Sequence, residues 1–181
     1  MTDRLRRAGA GSLDDGTTVV WSVADGAKGR RWREVRSGPG GVISSLLLET
    51  DPARRFSHLE LSTAAGLLTL HPEPDGTLHG NIVRAAGIHH VVGRRWAAGA
   101  VLSVEGSPTA AAAASWQIAG SGGQLAGDGL ASSVTVSLEL ELGEWRAGGG
   151  ASDAPAAVYD DGLPRLAGGD SWPLDLDASS G

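Results

Sequence analysis

Apolar and polar residues alternate at period two over much of the chain, the pattern of strands with one face in a core and the other in water. Thr17, Val19, Trp21 and Val23 share one side of the first such run. Residues 30–36, 42–50 and 55–62 read as three further strands, set apart by Asp25-Gly26, Lys28-Gly29, Gly38-Pro39-Gly40-Gly41 and Asp51-Pro52-Ala53. Shorter, glycine-bounded strands are expected at 87–93 and 99–105. Residues 134–142 alternate most strictly, with Val134, Val136, Leu138, Leu140 and Leu142 opposed to Thr135, Ser137, Glu139 and Glu141.

Between the fourth strand and these lies a hairpin whose turn chemistry fixes its register. Glu73-Pro74-Asp75-Gly76 suits a type I turn followed by a glycine at positive φ, because Pro74 is pre-set for the first turn position and Gly76 has no Cβ to clash. Counting outward pairs His71 with His79, Thr69 with Asn81 and Leu67 with Val83. That face is partly polar. Leu68, Leu70, Leu78 and Ile82 form the opposite, apolar face.

One segment breaks the period. Ser107-Pro108 followed by Ala110 to Ala114 supplies an N-cap, a proline at the first helical position and strong helix formers, with Gly120 placed to stop the run. A helix is predicted at about 108–119, with Trp116 or Ile118 buried to stabilise so short a segment. Closely spaced strands, glycine-rich turns and a single Ala-rich helix predict a mainly β fold, a single-domain antiparallel meander forming a barrel or part-barrel. Residues 1–16 are expected to be flexible and 17–146 to form the domain. Residues 147–181, rich in Gly, Ala, Asp and Pro, are expected to be an acidic tail that could dock an edge strand near 172–176.

Composition narrows the function classes. The 181 residues include no cysteine, which removes disulfides, thiolate nucleophiles and Cys-zinc sites together. The net charge of −6 is uneven, since residues 147–181 hold six aspartates against Arg165 and leave the rest near −1. No basic field or aromatic platform suited to nucleic acid results, and nucleic acid is not an expected partner. No apolar run reaches membrane-helix length and the first residues lack a signal core, so the chain is expected not to be an integral membrane protein and to be cytoplasmic. One lysine against fourteen arginines, with abundant Ala and Gly, looks like the coding bias of a GC-rich genome, and a bacterial source is expected.

Two groupings could carry chemistry. All five histidines fall between positions 58 and 90, and the His71/His79 pair with His58 and Glu60 could converge on a metal or move a proton. The spacing matches no metal motif, and a wet sheet face accounts for it more simply. Arg30-Arg31-Trp32-Arg33 with Arg36, and Arg94-Arg95-Trp96, set guanidinium groups beside indoles. Their simplest reading is a charge-protected edge strand with the tryptophans in the core. Nucleophile-elbow, phosphate-loop and His-Glu-x-x-His motifs are missing, so no cofactor is expected.

In a barrel, Leu67, Thr69, His71, His79, Asn81 and Val83 have the composition of a binding-site lining, with Trp21, Trp32 and Trp96 as neighbours. The expected partner is a small apolar or amphipathic molecule, lipid-like or glycolipid-like, with arginines for its polar head. Two alternatives remain: an enzyme using His71 and His79 with metal or as acid and base, and an interaction module without a pocket. An early Trp21 leading into a long meander is faintly similar in layout to bacterial part-barrel proteins described as glycolipid binders. No motif matches them residue by residue, and no family is assigned on that basis.

Overall fold

The structure, a computed structural model, describes residues 4–96, 99–120, 133–136, 146–148 and 161–174. Its main body is a nine-stranded antiparallel sheet. Consecutive strands β1 (Arg6–Ser12), β2 (Thr18–Gly26), β3 (Gly29–Gly38), β4 (Gly41–Thr50), β5 (Phe56–Thr63), β6 (Gly66–Pro72), β7 (Thr77–Arg84) and β8 (Gly87–Arg95) are neighbours throughout. β9 (Val101–Val104) leads into α1 (Pro108–Gly120), and β9 pairs in parallel with β10 (Ser133–Val136), which β11 (Arg146–Gly148) flanks. The last strand, β12 (Ala167–Pro173), returns to pair with β1.

The sheet is mainly β as predicted but does not close into a barrel: its order runs from β12 at one edge to β8 at the other. β8 is exposed at every position except Val91, and it carries His89, His90, Arg94 and Arg95. A strand so decorated resists further pairing. The volume in front of the sheet's inner face is filled instead. Val19, Trp21, Val23, Trp32, Leu48, Leu59, Leu61, Leu70 and Ile82 point there and pack with Ala110, Ala113 and Trp116 of α1. Trp32 and Trp116 meet edge to face with ring centroids 5.3 Å apart.

The helix starts where the sequence placed it. Ser107 Oγ accepts from the Ala110 amide at 3.0 Å, and the Ser107 carbonyl accepts the first helical bond from Ala111. The second cap is remote: the buried Glu34 carboxylate on β3 accepts from Ser107 Oγ at 2.9 Å and from the Thr109 amide at 3.1 Å. A negative group at a helix N-terminus also meets the positive end of the dipole. Trp116 is buried, as expected for a short helix that depends on packing.

Two expectations are corrected. Residues 6–12, expected to be flexible, form β1. Gly9 lets that strand lie against Trp21, since a Cβ there would collide with the indole, and Gly11 makes the same allowance for Leu166. β3 is interior, between β2 and β4, not an edge. Its arginine-rich pattern is a division between faces: Arg30, Trp32, Glu34 and Arg36 are buried, while Arg31, Arg33 and Val35 are exposed. A tail strand docks at Ala167–Pro173 and Leu174 donates to the Arg6 carbonyl, overlapping the expected 172–176, of which residues 175 and 176 lie outside the described residues. Of the strand expected at 134–142, residues 137–142 lie outside the described residues. No described helix is long and apolar enough to cross a membrane.

Candidate functional site

The hairpin has the register its turn demands. His71 pairs with His79, Thr69 with Asn81 and Leu67 with Val83, and Gly76 adopts φ of +77°. Glu73 and Gly76 close the turn through Glu73 N to Thr77 O at 2.7 Å and Gly76 N to Glu73 O at 3.1 Å. Asp75 accepts from the Thr77 hydroxyl and amide, and these bonds hold its carboxyl below the usual range.

Leu67, Thr69, His71, His79, Asn81 and Val83 nevertheless lie on the face turned away from the core, since Leu68, Leu70, Leu78 and Ile82 take the inner face. Leu67 and Val83 continue a cross-strand row with Val20, Val35 and Ile88, and Asn81 meets His90 at 2.7 Å. Trp21 and Trp32 are buried on the opposite side and Trp96 packs at the end of the core, so the nine candidate binding residues do not form one site. The two faces of a single sheet separate them.

The histidines resolve into local pairs. His71 Nε2 lies 2.9 Å from Glu73 Oε1 and His58 Nε2 lies 3.0 Å from Glu60 Oε1, while the His71 and His79 rings are 6.5 Å apart. Among the described residues no three His, Asp or Glu side chains converge as a metal would need, and His58, Glu60, His71 and His79 are not gathered into one group.

What the fold does assemble is a groove where several connections meet at one end of the sheet. It encloses about 580 Å³ between the β4–β5 turn, the β6–β7 turn, the segment before β9 and the C-terminal end of α1. Phe56 and Trp96 stand at its apolar side with ring centroids 5.2 Å apart. Pro72, Ala100 and Val101 extend that surface, and Asp51, Arg54, Arg55 and Glu73 supply charge. The backbone of Trp96 is fixed by its amide donating to the Gly76 carbonyl at 2.8 Å, which ties β8 to the hairpin turn.

The β4–β5 turn is built around Asp51, which accepts from the Arg55 amide at 2.9 Å and from Arg55 Nε at 2.8 Å. Partial burial opposes ionisation of Asp51, but the Arg55 amide and guanidinium outweigh it and hold the carboxyl below its ordinary range. A second hollow of about 330 Å³ lies between Trp21 and the strap at 161–166 that crosses toward β12. The strap is held by Trp32 Nε1 donating to the Gly162 carbonyl at 2.7 Å and Arg30 Nη1 donating to the Asp161 carbonyl at 2.6 Å.

Arg54, Arg55 and Phe56 escaped the sequence reading because they become a site only through what the β8–β9 connection and α1 bring beside them. Their one local signal was the Asp51-Pro52 turn. No family model matches this chain, and neither curated proteins nor solved structures give a match.

Proposed function

We propose that this chain is a binding domain for a small amphipathic molecule, seated in the groove at the turn end of the sheet. A single observation carries the reading: an open hollow of about 580 Å³ joins the Phe56–Trp96 aromatic pair to a rim of charged side chains. That volume is in the range of small-molecule sites, and such sites combine an apolar wall with a few polar groups that orient the ligand. The outer-face set around His71 and His79 offers no comparable enclosure, because its side chains stand on an open sheet. Acid–base chemistry there would lack a pocket to hold a substrate against it.

The test uses a neutral apolar dye, N-phenyl-1-naphthylamine, whose emission rises in apolar surroundings. Saturable binding is expected, with energy transfer from tryptophan. Ala53 lines the groove and is exposed, so Ala53→Trp should fill the hollow without disturbing the core and should abolish that binding. Undiminished binding by Ala53→Trp would place the ligand elsewhere.

A further inference from the structure

Arg54 is the one described non-glycine residue at positive φ, at +64°. The left-handed region crowds Cβ of an L-residue, and arginine lacks the short polar side chain with which Asn or Asp offsets the cost. Backbone strain of this kind persists where the surroundings over-determine it, and it gathers at sites that hold ligands. Here it carries the guanidinium over the Trp116 ring, 4.4 Å from the centroid, beside Gly120, where any Cβ would strike the Arg54 side chain. Arg30 also lies 4.4 Å from the Trp116 ring.

The two arginines differ in what they bond. Arg30 gives Nε and Nη2 to Asp25 and Nη1 to the Asp161 carbonyl. Among the described residues, the Arg54 guanidinium has no hydrogen-bond acceptor and no ion-pair partner, although its side chain is partly buried and lines the groove. A guanidinium carries five donors in a planar fork. The other groove charges have partners: Arg55 is paired with Asp51, and Glu73 with His71.

We propose that Arg54 is the anion anchor of this groove and that its ligand is an amphiphile with a carboxylate or phosphate head. The head bonds the Arg54 fork while the apolar body lies along Phe56 and Trp96. The inference rests on the groove being a binding site and adds the chemical class of what it binds. Stacking on Trp116 orients the fork without consuming its donors, so an oxyanion meets a pre-positioned partner.

The experiment compares four ten-carbon amphiphiles below their micellar concentrations by tryptophan fluorescence: decanoate, decyl phosphate, decanol and decyltrimethylammonium. One or both anions should bind about tenfold tighter than decanol, the tighter of the two identifying the head, and the cation should bind weakest. Arg54→Asn accepts positive φ and should erase the anionic preference while leaving decanol binding intact. Arg54→Gly should do the same, whereas removal of an arginine serving only to pack on Trp116 would leave the order of the four affinities unchanged. Decanol binding as tightly as both anions, or an anionic preference that survives Arg54→Asn, would overturn the assignment and leave the groove reading standing. Failure of all four amphiphiles to bind saturably would remove the groove reading and this inference together.

Discussion

The inner face of β3 and the outer face of β6–β7 both set polar side chains on a regular strand, yet they use them in opposite ways. On β3, Arg30, Glu34 and Arg36 are buried and each reaches across to a different part of the chain. Arg30 holds Asp25 and the strap, Glu34 caps α1, and Arg36 donates to the Gly106 carbonyl and to Asp15. On β6–β7, His71 bonds Glu73 two residues away, Asn81 bonds His90 on the next strand, and all remain partly in water. A buried polar group must find its partner or bear its desolvation, whereas a wet one can fall back on solvent. The inner set therefore ties distant segments into one arrangement. The outer set is replaceable.

The most severe test of that contrast is Glu34→Ala, which leaves the Thr109 amide and Ser107 hydroxyl without their acceptor; a loss of about 3 kcal/mol is expected in urea unfolding. Glu34→Gln keeps one acceptor oxygen and should cost about 1 kcal/mol. If both cost less than about 0.5 kcal/mol, the inner face is no more interdependent than the outer one. Gly76→Val should destabilise by about 1 kcal/mol or more, because a β-branched residue is strained at positive φ. An unchanged midpoint would count against the turn that sets the outer-face register.

Acid offers a gentler probe. Asp51 and Asp75 have folded-state affinities for protons below those of the unfolded chain. Their contribution is full above the unfolded value near pH 4 and is lost as pH falls through the lower folded values. Stability should thus fall on acidification below about pH 4, and Asp51→Asn should flatten that limb. Smallest of all should be His71→Ala and His79→Ala, each within about 0.5 kcal/mol of the parent. A larger loss from either would mean that this face is held by more than local pairs.

Much of the fold was legible because its strands are joined by short turns with explicit chemistry. The Pro74-Asp75-Gly76 loop fixed pairs out to Leu67 and Val83, and Ser107-Pro108 marked the helix start. β1 was missed because its sequence, Arg6-Arg-Ala-Gly-Ala-Gly-Ser12, has poor strand propensity, and its glycines answer to Trp21 and Leu166, which are distant in sequence. The orientation of β3 was obscured for a related reason. Charges normally mark a water-facing side, and only the helix, strap and loops that receive Arg30, Glu34 and Arg36 make the inward choice favourable. Trp21 and Trp32 were expected beside Leu67 and Thr69 because the reading imagined an enclosed interior, whereas an open sheet gives them separate faces. The groove depends on turns converging from separate parts of the chain, which no local pattern encodes.

The pairing of β12 with β1 has a consequence for how the protein is made. β1 to β8 are complete once Arg95 is synthesised, but the free edge of β1 has no partner until Ala167–Pro173 emerges. At ordinary elongation rates that interval lasts roughly 4–16 s, long compared with the microseconds in which a hairpin forms. The nascent sheet thus leaves the ribosome with a row of unpaired amides and carbonyls beside a glycine-rich strand, an edge open to other chains. Translation that stops short of Ala167 would release a protein with most of its sheet and a vacancy one strand wide.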